Sequence, residues 1–210
     1  NTTNVKVEFD ITNRTKVNII IRNSTGDIVY TSDDFKGNIF DIGNLDAGNY
    51  NITIINMDNE NYTASTDNAL FTVFKATSSL NIIQVTNSTY KINRSVVTLN
   101  VVNKTSISYI IRNAGGIVVM ANASDDSIVL DDLPAGEYNI TVINNENKNY
   151  LGSNDSAVFE VIKSYSEVHI TDVINGTLDT TNTTVKFDVK VPTNISIIVR
   201  DDKGNVVYNN

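Results

Sequence analysis

Histidine and cysteine, which supply most acid–base and nucleophilic chemistry in enzymes, are almost missing from this sequence. The 210 residues contain one histidine, His169, and no cysteine. Thiol catalysis, disulfides and thiolate metal sites are therefore excluded. His169 stands between Val168 and Ile170 on a candidate edge strand, so we expect its imidazole to face solvent. We predict that the chain is not an enzyme.

Acidic doublets are the sequence features best suited to bind an ion, and they are Asp33-Asp34, Asp125-Asp126, Asp131-Asp132 and Asp201-Asp202. Calcium takes six to eight oxygen ligands, in which carboxylates and carbonyls converge. No D-x-[DN]-x-[DN]-G loop is present to supply them. The calcium candidates are Asp33, Asp34, Asp125 and Asp126, and plain solvated acidic loops are the alternative. We expect no other cofactor.

N-x-[ST] sequons recur along the chain and mark candidate glycosylation sites in an exported protein. Those singled out here are Asn13, Asn51, Asn103 and Asn139. Because the chain is rich in Asn, Ser and Thr, chance is the competing explanation for any one of them. Asn51 and Asn139 have the outward parity of their strand, which leaves room for a glycan.

An internal repeat organises the whole sequence. The segment Leu45–Lys75 occurs again as Leu133–Lys163, at a constant offset of 88 residues. Self-similarity at one fixed offset indicates a tandem array of structural units.

Each copy of that segment begins with L-x-x-G-x-Y and continues as an alternating strand. Gly48 and Tyr50 in the first copy correspond to Gly136 and Tyr138 in the second. A tight turn followed by Tyr at the start of a strand is the pattern of a tyrosine corner in an Ig-like sandwich, in which the hydroxyl bonds to nearby backbone. We predict a structural role for these four residues.

Length and composition favour several small domains of an acidic, ordered protein. The chain exceeds the roughly 100 residues of one sandwich, and 40% of its residues are hydrophobic. Its net charge of −8 argues against nucleic acid or an anionic membrane as partner. No apolar run approaches a spanning helix, so we expect no membrane insertion. No signal peptide is recognisable, and we expect an internal or processed segment.

Period-two patterning and turn signals predict an all-β fold of tandem Ig-like antiparallel β-sandwiches. The predicted repeats are 1–76, which begins at strand B and lacks strand A, 77–164, which is complete, and 165–210, the N-terminal half of a third. In Leu80–Val85, strand A of repeat 2, the apolar parity shifts, which we interpret as a strand that crosses between sheets. Repeat 3 stops before its strands E, F and G. We expect the partner strands to come from sequence beyond Asn210 or from a second chain.

Three motifs, Pro134-Ala-Gly-Glu-Tyr138, Asn149-Tyr150 and Phe159-Glu-Val161, resemble those of the bacterial Ig-like repeats called group 3. The Asn-, Ile- and Asp-rich version here resembles tandem repeats of adhesin-like surface proteins from methanogenic archaea. Asp46 departs from this pattern, because the family has Pro there.

The resemblance implies a structural stalk or spacer at the cell surface, which displays a binding region away from the cell. Its partners would be the neighbouring repeats, with surface glycans or proteins of other cells as further candidates. The alternative is a carbohydrate- or protein-binding Ig-like module that itself carries the adhesive site. An aromatic or acidic cluster in one repeat alone would favour that alternative, and no such cluster is visible.

Overall fold

The chain is built from β-strands. The structure is a computed structural model that describes residues 5–124, 127–191 and 194–210. In this part of the chain no helix is long and apolar enough to cross a membrane. The strands are β1 Val5–Glu8, β2 Val17–Asn23, β3 Ile28–Ser32, β4 Ile39–Ile42, β5 Gly48–Asn56, β6 Ser65–Val73, β7 Ser79–Val85, β8 Ser88–Thr89, β9 Ser95–Val102, β10 Ile107–Asn113, β11 Val118–Ser124, β12 Ile128–Leu130, β13 Gly136–Asn144, β14 Ser153–Ile162, β15 Val168–Ile174, β16 Thr184–Val189, β17 Ile198–Arg200 and β18 Val206–Asn209.

Two compact units make up the molecule. Unit 1 comprises Asn1–Thr86, Val96–Val129 and Glu137–Phe159. Unit 2 comprises Asn87–Ser95, Leu130–Gly136 and Glu160–Asn210. The repeat boundaries inferred from the sequence stay a prediction.

Repeat 1 forms a sandwich of a four-stranded sheet, β3-β2-β5-β6, and a two-stranded sheet, β1-β4. Alternate residues of β2 and β5 point inward and are buried, as expected of strands with one solvated face. The buried cluster draws on both sheets, and its members are Ile19, Ile21, Phe40, Ile42, Tyr50 and Ile52.

Repeat 2 shows the strand order of an Ig-like sandwich. One sheet has the order β11-β10-β13-β14-β8 and the other β12-β9-β7. In chain order, β7 and β9 to β14 correspond to Ig strands A, B, C, C′, E, F and G. One sheet is therefore C′-C-F-G with an added edge strand and the other is E-B-A, which is the Ig division into two sheets. The strand β10 pairs antiparallel with both β11 and β13. The prediction of an all-β, tandem Ig-like fold is confirmed.

The parity shift in strand A of repeat 2 has a different cause from the one we inferred. A β-bulge lies between Ile82 and Gln84, and β7 stays paired with β9 on both sides of it. One extra residue in a strand shifts the side-chain parity of all that follow. The change of sheet comes later, at β8, which pairs parallel with β14 through Ser88 and Thr89.

Two hairpins form most of the third repeat in unit 2, β15 with β16 and β17 with β18. The sequence predicts strand C of this repeat over 194–200, but β17 starts only at Ile198. Every residue of β15, β17 and β18 is exposed, including their apolar side chains. His169 on β15 is exposed, as the sequence predicted.

Candidate functional site at the junction of repeats 1 and 2

The turn that ends repeat 1 is organised by Tyr50. Its hydroxyl donates a hydrogen bond of 2.7 Å to the carbonyl oxygen of Asp46, and its ring stacks on Phe71 at a centroid distance of 5.4 Å. Burial raises the pKa of this phenol, with a further contribution from the carboxylate of Asp46. A Cβ added at Gly48 would lie 3.7 Å from the Tyr50 ring, which is an ordinary contact.

Tyr138 occupies the equivalent place in repeat 2. Its ring is buried and stacks on Phe159 with a centroid distance of 5.5 Å. Burial raises the pKa of the Tyr138 phenol as well. Gly136 is the first residue of β13, as Gly48 is the first residue of β5. Both turns therefore present a stacked tyrosine at the start of strand F.

The carboxylate of Asp46 binds the following repeat. Lys148 donates to it at 2.6 Å, and the side-chain amide of Asn149 donates at 2.8 Å. The amide oxygen of Asn149 in turn accepts from the backbone N–H of Ala47 at 2.9 Å. The turn of repeat 1 and the loop before β14 in repeat 2 are thereby joined by three hydrogen bonds.

Main-chain pairing joins the segment between the repeats to that same loop. Ala76 forms a parallel bridge with Tyr150. The N–H of Ala76 donates to the carbonyl of Asn149, and the N–H of Leu151 donates to the carbonyl of Ala76, both at 2.9 Å. Such backbone bonds hold the direction of the linker as well as its position.

Side chains secure the residues on either side of Ala76. Lys75 pairs with Glu146 at 2.5 Å. The carbonyl of Thr77 accepts from the Asn103 amide at 2.9 Å, and the hydroxyl of Ser78 donates to the carbonyl of Leu151 at 2.6 Å. Four consecutive residues, 75 to 78, are therefore each hydrogen-bonded to residues that lie more than 20 positions away.

Charge at this junction is specific to it. Hydrogen bonds from Lys148 and Asn149 lower the pKa of Asp46, and the bond to Asp46 raises the pKa of Lys148. At an offset of 88 residues, Pro134 replaces Asp46 and Glu60 replaces Lys148. Asp46, where the sequence departs from the repeat pattern, therefore forms an ion pair that Pro134 and Glu60 at the equivalent positions cannot form.

We expect this ion pair to weaken at both extremes of pH. The pKa of Asp46 lies below its ordinary value of 3.8, so its contribution is present above 3.8 and is lost as the pH falls through the lowered pKa. The pKa of Lys148 lies above its ordinary 10.5, so its contribution is lost as the pH rises through the raised pKa. Both groups are exposed, and added salt should weaken the pair at any pH.

NMR titration checks this prediction. The amide resonance of Ala47 should move with a midpoint below 3.8, and Lys148→Ala should bring that midpoint back toward 3.8. Asp46→Asn should abolish the acid transition. An acid midpoint that is unchanged in Lys148→Ala would contradict the assignment of the shift to this pair.

Buried asparagines at the ends of the F strands were missed by the sequence reasoning. Asn144 is fully buried, and its amide oxygen accepts from the N–H of Thr105 at 2.8 Å and from its hydroxyl at 3.0 Å. Its amide nitrogen donates to the carbonyl of Asn103 at 3.3 Å. Asn144 therefore holds the loop that leads into β10.

Asn56 makes the same set of bonds in repeat 1. The amide oxygen of Asn56 accepts from the backbone N–H of Thr15 at 2.8 Å and from the hydroxyl of Thr15 at 2.9 Å. The amide nitrogen of Asn56 donates to the carbonyl of Asn13 at 3.2 Å. A usable sequence signal existed, because Asn56 and Asn144 have the inward parity of Tyr50 and Tyr138 on their strands.

The hydrogen bonds of Asn56 and Asn144 explain why the sequons at Asn13 and Asn103 have this sequence. Asn13 and Asn103 have φ values of 55° and 54°, in the left-handed region that Asn tolerates better than most residues. Thr15 and Thr105 supply the hydroxyls that bind the buried amides. The N-x-T pattern at these places is therefore required by a loop, whether or not a glycan is attached.

The four candidate glycosylation residues differ in exposure. Asn13 is exposed, whereas Asn51, Asn103 and Asn139 are half-buried. The amide of Asn103 is already engaged with Thr77 at the junction. Glycosylation at all four positions stays a prediction.

Asp33 and Asp34 are the calcium candidates that the structure describes, and neither belongs to a group of side chains that could hold a metal ion. Asp33 and Asp34 are exposed, and Asp34 pairs with Lys36 at 2.6 Å. Asp125 and Asp126 lie outside the described residues. Among residues 5–124, 127–191 and 194–210, no group of three or more His, Cys, Asp or Glu side chains could hold a metal ion.

Comparison with known proteins finds solved structures that are similar to this chain but identifies no family. No protein-family model matches the chain, and no curated protein matches it. A two-domain fibronectin type III segment of chicken tenascin is 12% identical with a TM-score of 0.41, covering 77% of this chain and 95% of its own. The amphioxus IgVJ-C2 molecule is 11% identical with a TM-score of 0.40, covering 76% and 96%.

A BSP domain of a biofilm-associated protein is also similar. It is 17% identical with a TM-score of 0.24, and the match covers 73% of this chain but 26% of that one. Identities of this size, with TM-scores below 0.5, establish no family membership. What stands is a chain of tandem Ig-like sandwiches whose first two repeats are joined by a continuous hydrogen-bonded junction.

Proposed function

We propose that this chain is a stalk or spacer segment of an adhesin-like cell-surface protein, and that it displays a binding region away from the cell. The single observation that carries the proposal is the junction of repeats 1 and 2. Residues 75–78 are each hydrogen-bonded across it, and the Asp46–Lys148 pair lies beside them.

A spacer must resist bending between its domains, and the junction offers two physical means. The linker contains no Gly or Pro and is too short to behave as a flexible tether. The parallel bridge at Ala76 restrains the linker, and the side-chain amide of Asn149 joins the loop on the other side of that bridge to the turn of repeat 1. A ligand-binding module needs no such restraint between repeats, whereas a spacer does.

The surface location is supported by the sequence. The motifs at Pro134–Tyr138, Asn149-Tyr150 and Phe159–Val161 resemble group 3 Ig-like repeats of adhesin-like surface proteins, those of methanogenic archaea in particular. The net charge of −8 and the many sequons suit an exported, solvated array. The partners we propose are neighbouring repeats of the same protein and, at the displayed region, glycans or proteins of other cells.

Distance measurements between spin labels test the spacer role. Since the chain has no cysteine, labels can be placed at Thr31→Cys in repeat 1 and Ala123→Cys in repeat 2, both exposed positions. Double electron–electron resonance should give one narrow distribution of the distance between the two labels. Removing the junction side chains with Asp46→Ala and Asn149→Ala should broaden it, with little change in thermal stability, since both bonds to the Asp46 carboxylate are exposed.

Asn61→Ala is the matched control, because Asn61 holds the equivalent loop position in repeat 1, 88 residues before Asn149. It should leave the distribution narrow. A broad distribution in the unaltered chain would remove the support for a spacer. So would a distribution that Asp46→Ala and Asn149→Ala leave unchanged.

A carbohydrate-binding role is the second candidate, favoured by a polar cleft in unit 1. Its volume is about 310 Å³, and its lining includes Thr25, Asn44, Asn49 and Lys148. Amide and ammonium groups of this kind can hydrogen-bond sugar hydroxyls. Glycan-array binding by the whole chain that Asn49→Ala abolishes would make the module itself adhesive and would displace the spacer proposal.

A further inference from the structure

An aliphatic side chain on the outward face of the sheet β3-β2-β5-β6 is left uncovered by the fold. Leu70 on β6 is 82% exposed. It lies directly opposite Asn51 on β5, and Arg22 on β2 lies on the other side of Asn51. Tyr50 and Ile52, which flank Asn51 in sequence, are buried. Asn51 and its two cross-strand neighbours therefore face solvent, and Leu70 stands beside the asparagine of a sequon.

Repeat 2 has the same arrangement with a different aliphatic residue. Val158 on β14 lies 88 residues after Leu70, as Asn139 on β13 lies 88 residues after Asn51. The hydroxyls of Thr141 on β13 and Ser156 on β14 are hydrogen-bonded at 2.9 Å, which agrees with a register that places Asn139 opposite Val158. Val158 is 78% exposed. Both repeats therefore expose an aliphatic side chain next to a sequon asparagine of strand F.

The recurrence of this pair separates it from an ordinary surface feature. Single exposed apolar residues are common on proteins and need no explanation. Here the exposed residue changes from Leu to Val between the repeats, but its position beside the N-x-T sequon is kept. The Cβ atoms of directly opposite residues in antiparallel strands are about 4.5–5.5 Å apart. A group attached to the asparagine amide can therefore reach over its aliphatic neighbour.

The side-chain nitrogens of Asn51 and Asn139 are available for a covalent bond. In the described part of the chain, neither of them donates a hydrogen bond. The hydroxyl of Thr53 donates to the amide oxygen of Asn51 at 3.2 Å, so the threonine of this sequon contacts its own asparagine on the outward face. The amide nitrogen of an N-x-[ST] asparagine is the atom that accepts an N-linked glycan.

The other two candidate sequons are used by the fold itself. The amide nitrogen of Asn103 already donates to the carbonyl of Thr77 at the junction. In the sequon that begins at Asn13, the hydroxyl of Thr15 is bound by the buried amide of Asn56. A glycan at either place would have to compete with these hydrogen bonds. The structure thus divides the four candidates into two that are free for modification and two that are not.

We propose that Asn51 and Asn139 carry N-linked glycans, and that the first sugar of each lies over Leu70 or Val158. In the transfer, the amide nitrogen replaces the phosphate at C1 of a phosphate-linked sugar donor. The N–C1 bond forms, the C1–O bond breaks, the phosphate group leaves, and the nitrogen loses one proton. The C–H groups on one face of the sugar ring then cover the aliphatic side chain and remove apolar surface from water.

This inference goes beyond the spacer role, because it assigns a covalent modification and the place where the sugar lies. Its tests measure attached sugar and the covering of one side chain. They do not depend on how the repeats are held relative to each other, so the two proposals can fail independently.

Mass spectrometry of the protein isolated from its own cells tests the attachment. Peptides that contain Asn51 or Asn139 should carry sugar, and Asn51→Gln and Asn139→Gln should each remove the mass of one glycan from the intact chain. Asn49→Gln is the matched control, because Asn49 is also exposed on β5 but begins no sequon. It should leave the glycan mass unchanged. Peptides that contain Asn13 or Asn103 should be free of sugar.

Hydroxyl-radical footprinting tests whether the sugar covers its neighbour. Oxidation of Leu70 should be severalfold slower in the glycosylated chain than in Asn51→Gln. Ile39 serves as the internal control, since it is 53% exposed but lies on β4 in the other sheet of the same repeat. It should be oxidised at the same rate in both chains. Circular dichroism establishes that both are folded.

The proposal is overturned by any of the following results. Peptides of Asn51 or Asn139 that carry no sugar would show that the attachment is absent. Equal occupancy at Asn13 and Asn103 would show that the hydrogen bonds of the fold do not select the modified sites. Oxidation of Leu70 at the same rate with and without the glycan would show that the sugar does not lie over this side chain.

Discussion

Replacing Asn144 with alanine is expected to lower the free energy of unfolding of repeat 2 by about 2–4 kcal/mol. The side chain is fully buried, and its loss leaves the N–H of Thr105 and the carbonyl of Asn103 without their partner. Each buried polar group left unsatisfied costs about 1–3 kcal/mol. Native-state hydrogen exchange of the amides in β10 and β13 measures the change in this repeat.

Asn139→Ala provides the matched control, since Asn139 is half-buried on the same strand. It should change exchange in β13 by less than about 0.5 kcal/mol, as surface substitutions usually do. Urea unfolding followed by circular dichroism should show the same ranking. Equal effects of the two substitutions would mean that the amide of Asn144 does not hold the loop before β10.

Tyr50→Ala is expected to destabilise repeat 1 by about 3–5 kcal/mol, the cost of emptying a large buried aromatic site. The ring contributes to the core of both sheets and stacks on Phe71. Tyr50→Phe keeps the ring and removes only the hydrogen bond to Asp46, so it should cost about 0.5–1.5 kcal/mol. Exchange of the amides in β2 and β5 reports on this repeat.

The phenylalanine variant separates the two contributions of Tyr50. We expect the same ranking at Tyr138, whose ring stacks on Phe159. If alanine and phenylalanine have equally small effects at Tyr50, the tyrosine is not what holds the turn to strand F. If they have equally large effects, the hydrogen bond rather than the ring is responsible.

Much of the fold can be read from the sequence, because β-strands in a sandwich carry a period-two signal. From that signal the sequence predicts strands at Val17–Asn23, Ile39–Ile42 and Ile128–Leu130, and these are the bounds of β2, β4 and β12. The L-x-x-G-x-Y pattern places the start of both F strands near the tyrosine, and β5 and β13 begin two residues before it, at the glycine. Because the segment recurs 88 residues later, a strand predicted in one repeat is also predicted at the equivalent place in the next.

The candidate site could be predicted only in part. The sequence shows that the linker at 76–78 is short, but its partners Asn103, Asn149 and Leu151 belong to other parts of the next repeat. Asn56 and Asn144 have an inward parity on their strands, which the sequence does show. The parity shift in β7 was visible, yet parity alone does not distinguish a bulge from a change of sheet.

The sequence by itself determined the strands, their inward faces and the tandem arrangement, because each follows from local periodicity and from self-similarity. Tertiary structure alone decided that Asp46 meets Lys148 and Asn149 about 100 residues away. It also decided that Asn144 binds the loop at Thr105. Such contacts depend on how turns and loops from distant parts of the chain meet in space, and hydrophobic patterning carries no information about them. Side chains with no periodicity of their own therefore acquire their roles only in the folded chain.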